Sequence, residues 1–248
     1  MSLMTALIIL VTVLVTTFIS GIFGMAGGII FMGVLAALLP VATAMIVHGT
    51  IQIFSNGYRA FLWRRHINWT IFGRYALGSL VAVGLLFALS WRPGHQVVYL
   101  MLGLTTTLVW LPKRVVDLDI QKRFQAEGAG FVVQALNTVA GVAGPLLDLF
   151  FVRTDMTRHQ IVATKAVTQV LAHFVKVVFW SVPVIMAAGA GALPPAWLIL
   201  AAIPLSMLGT TLGGKVLERM TDVNFKRGMK YLVTVIGAVM LMKAAGWL

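Results

Sequence analysis

His48, Gln52, Asn56 and Arg59 follow one another at helical i, i+4 and i+3 steps along the apolar stretch 41–63. Lys165, Gln169, His173 and Lys176 repeat the arrangement along 158–182. Residues three and four apart share a helix face, so each set forms a polar stripe. Rich in cations and amides, the two stripes suit a path for anions. Ionisable groups inside apolar helices are costly and point to function by default. Packing explanations stand beside this one: a lone histidine can serve an interhelical hydrogen bond, and Arg59 and Lys176 can snorkel to the inner and outer interfaces. The recurrence of His and Gln on both helices favours His48, Gln52, Gln169 and His173 as lining residues, with Lys165 beside them.

Asp148 is the only acid in the middle of an apolar run. A bare carboxylate would repel an anion, so it is expected to pair with Lys165 or to be protonated. A carboxyl that gains and loses a proton is also the candidate coupling group.

Two glycine-rich pentapeptides lie near these stripes, Gly24-Met25-Ala26-Gly27-Gly28 and Gly141-Val142-Ala143-Gly144-Pro145. Each interrupts what would otherwise read as membrane helix. Glycine lets the backbone unwind and proline removes an amide donor. Unsatisfied backbone in hydrocarbon costs several kcal/mol, so such breaks survive only inside protein or beside a polar cavity. A helix restarting after the break leaves its first amides unpaired and partly positive. Restarts near 28–30 and 146–148 would present N–H groups to an anion at mid-depth. Gly24, Ala26, Gly27, Gly28, Gly141, Gly144 and Pro145 are therefore candidate binding residues. Gln134, Asn137, Thr43 and Thr164 near the breaks, and Ser20 in the first half, are candidate donors whose alternative role is to satisfy unwound backbone. Gly33, Gly78, Gly84 and Gly209 read instead as close helix packing.

The elements that must hold these groups are apolar runs. They fall at roughly 3–23, 28–39, 41–63, 70–90 and 95–111, then, after a charged linker over 112–125, at roughly 126–141, 145–152, 158–182, 196–216 and 227–247. A membrane helix needs about 20 apolar residues, so 28–39 and 145–152 are short and form hairpins with their predecessors. The pattern predicts an all-α polytopic bundle of two repeats, 1–111 and 126–248, each a glycine-broken hairpin followed by three spans. Composition agrees. The chain of 248 residues is 60% hydrophobic and 10% charged, with mean hydropathy +0.96, against about 25% charged residues in a soluble domain. The start Met1–Thr5 lacks the basic region of a signal peptide, so the first run is read as a retained span. Absence of cysteine excludes disulfides and thiol-redox chemistry.

The net charge of +12 is an orientation signal, not a nucleic-acid surface. Lys and Arg cluster at 64–65, 113–123, 153–158 and 215–230, marking cytoplasmic loops. Following that rule places both termini outside and makes the halves inverted. Trp63, Trp69 and Trp110 fall at inner ends; Trp91, Trp180 and Trp197 fall at outer ends, as interfacial belts require. Laying Gly24 on Gly141, with a short insertion in the second half, brings Ala42-Thr43 onto Ala163-Thr164, His48 onto Gln169 and Gln52 onto His173.

Ser20-Gly-Ile-Phe-Gly-Met-Ala-Gly-Gly28, the Ala42-Thr43 helix and the basic turn Arg64-Arg65-His66-Ile67-Asn68-Trp69 resemble the sulfite exporter TauE/SafE family. Gly141–Pro145 and Val162-Ala163-Thr164 are similar to its second repeat. The resemblance spans nearly the whole chain. It implies a bacterial inner-membrane carrier for sulfite, sulfonates or similar anions. Gly144 stands alone before Pro145 where the first repeat has Gly27-Gly28, so the two half-sites are expected to bind unequally.

The expected partners are a small anion and the lipid bilayer, with no cofactor, metal or nucleic acid; homo-oligomer formation is left open. Other functions fare worse. A metal hydrolase needs a cluster such as H-E-x-x-H, and nucleophilic catalysis a G-x-S-x-G or cysteine; the sequence has neither. A passive anion channel would use the same stripes. Without a nucleotide-binding loop, energy comes from a solute or ion gradient.

Overall fold

The computed structural model describes residues 2–24, 26–89, 95–107, 110, 118–152 and 154–247. These residues are helical with short turns, and no strand occurs among them. The helices are α1 (Leu3–Phe23), α2 (Ala26–Leu38), α3 (Val41–Leu62), α4 (Trp69–Leu89), α5 (His95–Thr107), α6 (Gln125–Ala140), α7 (Gly144–Val152), α8 (Arg158–Ala188), α9 (Ala196–Glu218) and α10 (Asp222–Ala244). Each apolar run of the sequence becomes one of them. The restarts after the breaks come two residues earlier than expected, at Ala26 and Gly144. Arg92, Pro93, Trp91, Lys113 and Arg114 lie outside the described residues.

The ends of the helices follow local chemistry. Ser2 Oγ accepts the Thr5 amide at 3.1 Å to start α1. Thr157 and Gln160 form a reciprocal capping box on α8. α1 stops at Gly24, φ 89°, and α6 at Gly141, φ 88°. Only glycine takes such angles without strain, so the two breaks are written in the same residue type for the same reason.

Packing relies on small residues. A Cβ on Gly78 would lie 1.8 Å from the Glu127 carbonyl oxygen, and one on Gly130 1.9 Å from that of Tyr75, so α4 and α6 touch backbone to backbone. Gly209 and Gly213 do the same for α9 against Leu14 and Phe18 of α1. Such stripes are how helices associate where lipid gives no hydrophobic drive. Gly33 packs on Met240, whereas Gly84 has open space around it and contributes no close contact. α3 packs along α8, and α5 along α10.

The distribution of polarity is the reverse of a soluble protein's. Leu7, Val11, Leu77, Leu80, Val81, Leu200 and Val235 are exposed, while Arg59, Lys165, Lys176, His48, Asp148, Gln134 and Asn137 are buried. Water would not tolerate that outer surface, and a bilayer would. Four helices, α1, α4, α8 and α9, are long and apolar enough to cross a membrane. α3 is long enough but its polar stripe lowers its hydropathy. The chain is an all-helical, multi-pass membrane protein.

Candidate functional site

The polar stripes of α3 and α8 meet at the glycine breaks. Arg59 stands on α3 one turn from its end and is 1% exposed. Its guanidinium donates to the Gly24 carbonyl at 2.8 Å and to Asn56 Oδ1 at 2.7 Å. On α8, the Lys176 amine donates to the Gly141 carbonyl at 2.7 Å and to His48 Nδ1 at 2.7 Å. Neither cation snorkels: each is spent on the carbonyl that its helix break leaves free, as buried backbone in a bilayer requires.

His48 joins the halves. Its Nε2 lies 2.9 Å from the Gly28 carbonyl. A carbonyl only accepts, so Nε2 carries the proton and Nδ1 accepts from Lys176. One tautomer of the neutral ring satisfies both contacts. The ring stacks on Phe31 at 5.4 Å and meets the edge of His173 at 5.2 Å.

Asp148 of α7 pairs with Lys165 of α8, both fully buried, as expected from sequence. A Cβ on Gly24 would lie 3.3 Å from that lysine Nζ, so the pair sits directly against the first break. Its second oxygen, Oδ2, has no partner.

Between these groups lies a small cavity of about 10 Å³, lined by Ser20, Gly24, Gly28, His48, Gln52, Asn56, Val142, Gln169 and His173. No acid lines it. Gln169 Nε2 and His173 Nδ1, both buried, have no hydrogen-bond partner there. Buried polar atoms left unpaired cost about 1–3 kcal/mol each, so these two nitrogens are available to a solute or water that enters the cavity.

The structure thus brings together Gly24, Gly28, His48, Gln52, Gln169 and His173 of the residues singled out from sequence. Gly141 and Lys165 stand just behind them. Other candidates occupy different places. Gly27 faces α1, where a Cβ would lie 1.8 Å from the Thr16 carbonyl oxygen. Thr164 Oγ1 accepts the Asn68 amide at 3.0 Å, fixing the basic turn against α8. Gln134 Nε2 donates to Thr138 Oγ1 at 2.9 Å, and Asn137 is buried on the same helix with both amide atoms unpaired. Thr43 is half-buried near the start of α3 and Gly144 opens α7. The side chains of Ala26 and Pro145 lie outside the described part of the structure. Trp180 departs from its expected interfacial ring: it is 4% exposed and donates to the Thr138 carbonyl at 2.8 Å. An outer-end position on a helix does not imply contact with headgroups when a neighbouring helix covers that face.

Sequence reasoning gave no reason to select Val142, an apolar residue lying between two break glycines. Asn56 was visible as part of a stripe but not as a wall.

A cavity lined by polar side chains at paired helix breaks, within a lipid-compatible bundle, is the arrangement of a membrane transport protein. A model of the sulfite exporter TauE/SafE family matches residues 8–240, nearly the whole chain. The chain belongs to that family, one of transporters and not of enzymes. No curated protein and no solved structure gives a significant match.

Proposed function

We propose that this protein carries a small sulfur-containing or organic anion, sulfite or a small sulfonate, across the bacterial inner membrane by alternating access of two inverted halves, with both termini on the outer side. The observation that carries this reading is the acid-free cavity with unpartnered Gln169 and His173 nitrogens. Amide and imidazole N–H groups with no competing carboxylate favour an oxyanion over a cation or a sugar. The family's name supports sulfur oxyanions as the first compounds to try.

The neighbour relations support the two-fold organisation. Exchanging α1–α5 with α6–α10 in order turns the α1–α9 contact into α6–α4, α1–α2 into α6–α7, α3–α9 into α8–α4 and α2–α10 into α7–α5, all of which occur. The pairs α3–α8 and α5–α10 map onto themselves. The hydrogen bonds Arg59 to Gly24 and Lys176 to Gly141 each span 35 residues. The displacement that carries Gly24 to Gly141 therefore also carries Arg59 to Lys176, Asn56 to His173, Gln52 to Gln169 and His48 to Lys165. On the two-fold reading, this uninterrupted register is preferred to the one with an insertion, because it pairs the two polar stripes position for position.

A carrier fits better than a passive channel. The cavity, at about 10 Å³, has room for about one water, so a four-atom oxyanion requires the hairpins to part. A pore would keep its path open. Isothermal titration of detergent-purified protein with sulfite, thiosulfate, methanesulfonate and acetate tests the reading: saturable binding of a sulfur oxyanion supports it, and absence of binding to all four overturns it. Trans-stimulated counterflow in proteoliposomes separates carrier from channel.

A further inference from the structure

We infer that the anion is carried together with a proton, and that His173 is where the proton sits. The inference rests on the reading of the cavity as an anion site and adds what must accompany the anion.

The charges around His173 make the case. Its own helix supplies Lys176 one turn on, donating to His48 and Gly141, and Lys165, which lies two turns back, about 12 Å along the axis, and is held by Asp148. α3 supplies His48 and, further along, Arg59. α4, which also packs on α8, carries the buried phenol of Tyr75, and its Arg74 is paired to Glu127 of α6. α1 and α2 bring no titratable side chain at all. Among the described residues, no carboxylate touches His48, His173 or Lys176, and no acid lines the cavity.

His48 is poorly placed to accept a proton. Nε2 already donates to the Gly28 carbonyl, and Nδ1 is engaged by the Lys176 amine. A second ring proton would have to displace that hydrogen bond. His173 is different: it lines the cavity, and its Nδ1 is buried with no hydrogen-bond partner. Protonated without an anion, it would stand next to Lys176 with nothing to balance either charge. With an oxyanion in the cavity, the same proton becomes a charge-assisted donor to it. Each ligand therefore strengthens the other, and by linkage the coupling is reciprocal. A monovalent anion then crosses with no net charge: the proton arrives on the imidazole as the anion arrives in the cavity, and both leave together.

Methanesulfonate and thiosulfate do not titrate near neutral pH, so any pH dependence belongs to the protein. On purified wild-type protein, the dissociation constant for either is expected to rise about tenfold per pH unit as the pH climbs through the neutral range. In proteoliposomes, methanesulfonate uptake is expected to acidify the lumen and to ignore an imposed membrane potential. His173→Gln keeps a hydrogen-bonding side chain that cannot be protonated; its affinity is expected to become independent of pH and its uptake to respond to the potential. Binding that is pH-independent in the wild type, or uptake driven by potential without proton movement, overturns the inference and leaves the anion site standing. An undiminished slope in His173→Gln overturns the assignment to His173. If His173→Gln fails to fold, the wild-type pH slope and charge movement decide alone. Failure of both anions to bind removes the anion site itself, and the inference with it.

Discussion

Gly28 and Gly27 are adjacent, yet the structure gives a methyl group at each a different consequence. At Gly28 a Cβ would lie 2.7 Å from Gln52 Nε2 and 3.8 Å from His48 Nε2, both side-chain ends at the cavity. The Gln52 amide is the tip of a flexible chain and can rotate away, at about 0.5–1.5 kcal/mol if it leaves its rotamer. Replacing glycine by alanine inside a helix returns about 0.5–1 kcal/mol. Gly28→Ala should therefore change stability by no more than about 1 kcal/mol. Its effect on the site is larger, because the methyl enters a cavity of about 10 Å³ and displaces one of its donors. A hydrogen bond to a charged group contributes about 1.5–3 kcal/mol, so anion affinity should fall about 10- to 150-fold.

At Gly27 the obstacle is backbone: 1.8 Å to the Thr16 carbonyl oxygen, with Ser20 Oγ at 2.6 Å. Neither α1 nor α2 can yield locally, so the hairpin must open. Overpacking of this kind costs about 1–3 kcal/mol, and more when main chain is involved. Thermal unfolding in detergent and calorimetric titration with sulfite or thiosulfate on the two alanine variants separate the effects. The reasoning is refuted if Gly28→Ala binds within about threefold of wild type, or if Gly27→Ala melts at the wild-type temperature.

Asp148→Asn leaves the Lys165 ammonium buried without its counterion and should destabilise the protein by about 3–5 kcal/mol, read as a fall in melting temperature. Adding Lys165→Met should restore most of the loss, a coupling that a double-mutant cycle measures. Arg59→Lys keeps the charge but loses the fork that reaches both Gly24 and Asn56, so a loss of about 0.5–1.5 kcal/mol is expected. Because the chain has no cysteine, single cysteines report topology directly: Lys122→Cys in the linker should label only from the cytoplasm, and Gly191→Cys between α8 and α9 only from outside.

The arrangement of helices was legible because a bilayer leaves few choices: apolar runs must become helices, and glycine clusters must become breaks. The stripes were legible for the same reason, since His48, Gln52, Gln169 and His173 have no place on a lipid face. What sequence could not supply was the pairing of polar groups across helices. Arg59 and Lys176 read equally well as snorkelling cations, and only the fold shows each closing a carbonyl at a break. Gly27 and Gly28 are indistinguishable as letters, yet one faces backbone and the other the cavity, because the turn of α2 points them in different directions. Trp180 fails for a related reason: depth along a helix is written in the sequence, whereas the neighbour covering a given face is not. The repeat register follows the same logic. Local identities such as Ala-Thr suggested an insertion, but the break carbonyls needed a cation at a fixed reach in each half. Under the proposed two-fold organisation, Arg59 and Lys176 each stand 35 residues from the break carbonyl they bond, and an equal reach is a more physical ground for pairing two positions than a shared dipeptide.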